Sequence, residues 1–171
     1  MTELIGQVFG DYRIEAILDT DRVGQVFQAR HLRLDRLIAL KVLNEDITTA
    51  SGFQSQFLQA ARTAATLHHP NIVEIYDFGE QNNRFYLVME LLPDGSLRNL
   101  LQHQSPKGIP LPLILGLDLV RQAADGLAYA HAQGIVHGDI APKNLLLTRV
   151  RSRAIKRIAF APLAMAASIL R

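Results

Sequence analysis

Three groups of residues in this chain could do chemistry. Asp139 and Asn144 sit five positions apart in the run Gly134–Leu147, after His137 and Gly138. Lys41 lies inside the apolar run Leu37–Leu43, and Asp19 and Asp21 lie between two stretches of alternating polarity. On composition alone, His-x-Asp is an ordinary polar turn. A lysine within an apolar β-type run is more demanding, because burying an ammonium without a partner is costly. Two carboxylates in one turn concentrate negative charge and repel another anion brought beside them.

The elements around these residues follow from periodicity. Residues 9 to 30 alternate around Tyr12-Arg13-Ile14 and Val23–Ala29, which predicts a hairpin with the two aspartates at its turn. Leu37–Leu43 predicts the next strand. Residues 51 to 67 predict a helix with Phe53, Phe57, Ala60, Ala61, Ala64 and Leu67 inward, and this segment contains no Asp or Glu. His69–Gly79 and Arg84–Glu90 predict two strands joined at Glu80–Asn83. Ser96 is placed to cap a short helix over Leu97–His103. Leu113–Ala132 is the longest helical pattern, with Leu117, Val120, Ala124, Leu127 and His131 expected on its buried face and Gly134 at its end. Two short strands are expected within residues 148 to 158.

The run His137-Gly138-Asp139 with Asn144 resembles the catalytic loop of protein kinases, His-Arg-Asp followed by four residues and Asn. Leu37–Leu43 resembles that family's Val-Ala-Ile-Lys strand, and Gly24 with Val26 resembles the end of its glycine-rich hairpin. The chain as a whole resembles bacterial eukaryotic-type serine/threonine kinases over residues 8 to 164. That resemblance implies an α+β protein kinase-like fold, with an antiparallel-sheet N-lobe carrying one helix (residues 1–92, hinge included) and a partial, mainly helical C-lobe (residues 93–171). It implies Asp139 as the base and Asn144 as a metal ligand. It implies Lys41, Gly24, Val26, Ala39, Met89, Glu90, Leu92 and Leu146 around ATP, with Met89 behind the adenine and the backbone of Glu90, Leu91 and Leu92 as the hinge.

The departures from the family pattern fall on the same machinery. Asp19 and Asp21 stand where the first two glycines belong, and Ala60 replaces the helix glutamate that partners the strand lysine. Ala141 replaces the lysine that steadies the transferred phosphate, and Gly138 replaces the loop arginine. Ala159 replaces the Asp-Phe-Gly aspartate that binds magnesium, and no acidic residue follows Asp139 to restore it. ATP and magnesium are the cofactors the resemblance implies, and these substitutions count against both. The expected function is therefore a pseudokinase acting in binding or regulation, with an active ATP-dependent serine/threonine kinase and a membrane-peripheral interaction protein working through the C-terminal tail as the alternatives. With its usual partner gone, Lys41 is expected to pair with Asp19 or Asp21. Lys143 falls at a variable family position and reads as a solvated lysine.

Composition narrows the rest. Among 171 residues there is no cysteine, which removes disulfides and thiolate metal sites. The first residues show no basic region followed by an apolar run, so a cytoplasmic protein is expected. Seven Lys and Arg and no Asp or Glu follow Asp139. A basic stretch followed by an apolar one at residues 149–171 allows peripheral membrane contact through an interfacial helix, and a packed terminal helix is the simpler reading. Nucleic acid is not expected, since no aromatic platform accompanies the charge. The resemblance stops after the catalytic loop, which predicts a truncated C-lobe and a protein partner to cover it.

Overall fold

The computed structural model describes residues 4–45, 53–104, 110–149 and 155–160, the last six and Arg149 by their backbone alone. The chain forms two compact units: one of residues 1–65 and 74–91, the other of residues 66–73 and 92–171.

The first unit is a six-stranded antiparallel sheet in the order β1-β2-β3-β4-β6-β5. Its strands are β1 (Val8–Phe9), β2 (Tyr12–Thr20), β3 (Gly24–His31), β4 (Arg36–Leu43), β5 (Ile75–Gln81) and β6 (Arg84–Met89). Side chains of a strand alternate between faces. On β4 this sends Ile38, Leu40 and Val42 into a cluster with Phe9, Tyr12, Ile14, Phe27 and Val88. Ala39, Lys41 and Leu43 consequently occupy the opposite face, and they too are buried. Helix α1 (Phe53–Ala65) buries Phe53, Phe57, Ala61 and Ala64, one stripe at helical spacing. The rings of Phe53 and Phe57 lie 6.0 and 5.4 Å from that of Phe85 on β6.

Two boundaries differ from the sequence reading. Residues 69–74 form no strand and β5 begins at Ile75, because Ile72 and Val73 are buried in the other unit, not paired in this sheet. Asn82 and Asn83 alone make the β5–β6 turn, with φ of 53° and 59°. Two consecutive left-handed residues match the twist of a tight hairpin, and Asn tolerates that conformation.

In the second unit, Ser96 caps α2 (Leu97–Gln104) reciprocally. The Ser96 amide donates to Asn99 Oδ1 at 2.9 Å, and the Asn99 amide donates to Ser96 Oγ at 3.3 Å. Helix α3 spans Leu113–Ala132, and Gly134 (φ 73°) donates its N–H to the His131 carbonyl beyond its end.

The buried face of α3 corrects the expectation. Leu119, Gln122, Ala123, Gly126 and Ala130 face inward, whereas Leu117 and Val120 are 61% and 69% exposed. Of the expected face, Leu127 is half-buried and packs against the core, while Ala124 and His131 are exposed with Leu117 and Val120, so the inward stripe is rotated away from the one apolarity marks. Small residues allow close approach, and Gln122 is accepted inside because Asn71 Nδ2 donates to its Oε1 at 3.1 Å. Leu119, Ala123 and Ala130 pack with Leu67, Ile72, Ile135, Leu145 and Leu147.

After α3 comes the loop 135–141, a 3-10 turn at Pro142–Asn144, and the antiparallel pair β7 (Leu145–Arg149) and β8 (Ile155–Phe160). These strands begin earlier and end later than residues 148 to 158. Residues 158–160 are strand, so the apolar run read as a terminal helix starts as β-structure, and its remainder lies outside the described residues. Among the described residues, no helix is long and apolar enough to cross a membrane.

Candidate functional site

In the first unit the site is built on the β2–β3 turn and the lysine of β4. Strand register sets Val26 on β3 and Leu87 on β6 opposite Lys41, and Met89 opposite Ala39. Lys41 is only 7% exposed, so its ammonium needs a counter-charge. Asp21 supplies it, with Lys41 Nζ donating to Asp21 Oδ2 at 2.7 Å. The other carboxylate oxygen accepts the N–H groups of Val23 at 2.8 Å and Gly24 at 2.9 Å. One side chain thus closes the turn and holds the lysine. Burial pushes the Asp21 carboxyl up, but the charge and hydrogen bond of Lys41, with those of the two backbone N–H groups, outweigh it and hold the pKa below the usual Asp value. Asp19 takes no part in this pair, its Oδ1 accepting the N–H of Thr20.

Gly24 has a local reason to be glycine. A Cβ there would lie 2.1 Å from the Val42 carbonyl oxygen and 2.9 Å from Leu43 Cα. The residue is needed for the close approach of β3 to β4, whatever binds at the turn. Ala39 and Met89 are buried, Val26 is half-buried, and the N–H of Glu90 donates to the Glu74 carbonyl at 2.9 Å. Ala60, at the glutamate position, is half-buried on α1. The division between the units falls after Leu91, so Leu92 belongs with the second.

In the second unit the site is the loop after α3. His137 is 2% exposed, and its Nδ1 accepts the N–H of Asp139 at 3.2 Å. Gly138 has φ of 80°, a conformation strained for any side chain. Asn144 Nδ2 donates to the Asp139 carbonyl at 2.8 Å and to its Oδ2 at 3.1 Å. Lys143 Nζ lies 3.2 Å from the same Oδ2. The hydrogen bond from Lys143 is the main cause that holds the Asp139 carboxyl below the usual range; burial opposes it, and Asn144, the Lys143 charge and His137 assist it. The sequence reading of Lys143 as solvated missed this contact. The signal was its place four residues after Asp139 across a proline, which the 3-10 turn converts into proximity.

Leu146 is half-buried on β7, bridged to Ser96 and paired with Ala159 on β8. Asn144, read as the remaining metal ligand, turns its amide nitrogen to Asp139, so its carbonyl oxygen Oδ1, the atom a magnesium ion would take, lies on the other side of the amide. Among the described residues, no group of three His, Cys, Asp or Glu could hold a metal ion.

The profile of the protein kinase domain family matches residues 12–161. This chain belongs to the protein kinase family. It is 35% identical over 144 residues to the serine/threonine-protein kinase PknD of Mycobacterium tuberculosis, and 37% identical over 144 residues to PknA of the same organism. These alignments cover 84% and 81% of the chain, and 21% and 32% of the respective relatives. The crystal structure of the PknI kinase domain from M. tuberculosis superposes with a TM-score of 0.78 at 29% identity, over 94% of this chain and 61% of that one. The kinase-like fold read from Lys41, Asp139 and Asn144 is the fold of the chain. The chain spans a third or less of the length of PknD and PknA.

Proposed function

We propose that this chain is a kinase-fold module with a self-occupied phosphate-binding lysine, a pseudokinase that works by binding or regulation. The observation that carries this reading is the 2.7 Å contact of Lys41 with Asp21. In kinases the strand lysine holds nucleotide phosphates and is partnered by a helix glutamate. Here α1 offers no acid, and the carboxylate comes from the hairpin that ought to cover the phosphates. A nucleotide must displace Asp21 to reach Lys41. Ala159 adds to the reading by removing a metal ligand, a change that weakens charge stabilisation of the transferring phosphate.

A thermal-shift titration with ATP, with and without magnesium, tests this on the intact chain, Asp21→Asn and Lys41→Ala. A ligand that binds the native state raises its Tm. The expected result is little or no rise for the intact chain and Lys41→Ala, and a clear rise for Asp21→Asn. A magnesium-dependent rise in the intact chain, lost in Lys41→Ala and accompanied by phosphoryl transfer, sinks the reading.

A second reading is an active ATP-dependent serine/threonine kinase. What favours it is the intact pairing of Asp139 with Asn144 and the similarity to PknD and PknA. In that case a hydroxyl oxygen bonds to the γ-phosphorus as the bond to the bridging oxygen breaks. Asp139 takes the hydroxyl proton, and ADP leaves.

A further inference from the structure

We propose that Lys143 is a phosphate-binding residue of the catalytic loop, placed to hold the terminal phosphate of a nucleoside triphosphate in place of the lysine missing at position 141. The inference rests on the kinase reading of the loop, and it goes beyond the closed state proposed for Lys41.

The argument starts from the turn. Ala141 is extended at φ −149° and ψ 156°, and the Asn144 N–H donates to its carbonyl at 2.9 Å. Pro142 opens the 3-10 turn with its φ fixed by the ring. The turn brings position 143 back over position 139, so Lys143 Nζ lies 3.2 Å from Asp139 Oδ2. Any phosphate about to be attacked by a hydroxyl bonded to Asp139 must come within a few Å of that carboxylate, and hence of the ammonium. An ammonium has three donors, and this one spends a single contact on Asp139 among the described interactions.

Exposure agrees with a ligand-facing role. The Lys143 and Asp139 side chains are 37% and 40% exposed, so the lysine can pivot from carboxylate to phosphate without unburying a charge. The surrounding sequence favours an anion too, since every acidic residue lies at or before Asp139. The loop therefore keeps its positive charge, moved two positions along.

The test is calorimetric titration with ATP and with ADP in EDTA and in magnesium, on full-length protein. It is run in the native background and in Asp21→Asn, each with Lys143→Ala, Lys143→Arg and Ala141→Lys/Lys143→Ala. Loss of one charge-assisted hydrogen bond predicts that Lys143→Ala weakens ATP by about tenfold or more. ADP, which lacks the terminal phosphate, should change by less than about twofold. The loss should persist in EDTA, and both Lys143→Arg and the double variant should recover ATP binding, which a structural defect would not allow. Equal effects on ATP and ADP, no effect on either, or no nucleotide binding in both backgrounds overturns the proposal. The closed-site reading fails separately: native protein binding ATP as tightly as Asp21→Asn would sink it and leave the Lys143 result standing.

Discussion

Each unit holds a lysine–aspartate pair on kinase machinery, and the two pairs are built in opposite ways. In the first, the family residue is the lysine and the newcomer is the carboxylate: Lys41 is buried, and Asp21 is fixed by two backbone N–H groups as well as by the ammonium. In the second, the family residue is the carboxylate and the newcomer is the lysine: Asp139 and Lys143 are both more than a third exposed, and their contact is 3.2 Å. Asp21 is as open to water as Lys143, at 36% and 37% exposed, so the difference lies in the buried ammonium of Lys41 and in the backbone N–H groups that anchor Asp21. A pair with a buried ammonium and a backbone-tied carboxylate is a structural element, whereas a pair exposed on both sides is weak and exchangeable. The first is therefore expected to resist a ligand and the second to yield to one.

The largest effect should come from the glycine that frames the first pair. Gly24→Ala puts a methyl into the backbone of β4, with no flexible side chain to give way. A loss of about 3 kcal/mol or more in denaturant unfolding is expected. If the loss is below about 1 kcal/mol, the hairpin is looser than described, and the rigidity assigned to Asp21 fails with it.

Next comes the pair itself. Asp21→Ala removes the turn's acceptor and strands a buried ammonium, and should cost about 1–3 kcal/mol. Lys41→Met removes the charge with it and should cost less, because replacing a buried charge by an apolar chain is often near neutral. The reverse order would mean that Asp21 contributes little to the resting fold. Acid should act in the same direction as Asp21→Ala. The Asp21 carboxyl is held below its ordinary value of 3.8, so its stabilisation is complete above that pH and is lost as pH falls through the lowered folded-state pKa. Melting temperatures below pH 3.8 should fall more steeply for the native protein than for Asp21→Asn.

The smallest effect belongs to the exposed pair. Lys143→Ala should change stability by less than about 0.5 kcal/mol, a difference that salt should erase. A loss of more than about 1 kcal/mol would class this pair with the first and undo the contrast.

Much of this was legible in the sequence, for reasons that can be named. A lysine flanked on both sides by apolar residues read as a strand lysine in need of a partner, and the absence of any acid between residues 51 and 67 left the hairpin aspartates to meet it. Helix α3 was legible in its ends, since Pro112 precedes it and Gly134 follows. Its orientation was not. Periodicity ranks faces by apolarity, but the face chosen was the one with small residues and a glutamine whose partner, Asn71, lies far away in the chain. The contact of Lys143 with Asp139 was missed for a similar reason: spacing showed the distance along the chain, and only the 3-10 turn made the two neighbours.

The path of the chain between its units carries one more consequence. Residues 66–73 are made before β5 and β6, yet their Leu67 and Ile72 pack with Leu119 and Ala130 of α3, and Asn71 hydrogen-bonds Gln122. During synthesis this segment must leave the ribosome unpartnered and wait for a helix that emerges much later, an obligatory delay in vectorial folding. Neither unit can then be excised as one contiguous piece. A fragment ending at Leu91 would carry an uncovered apolar segment in its middle, and a fragment starting at Leu92 would lack one wall of its own core.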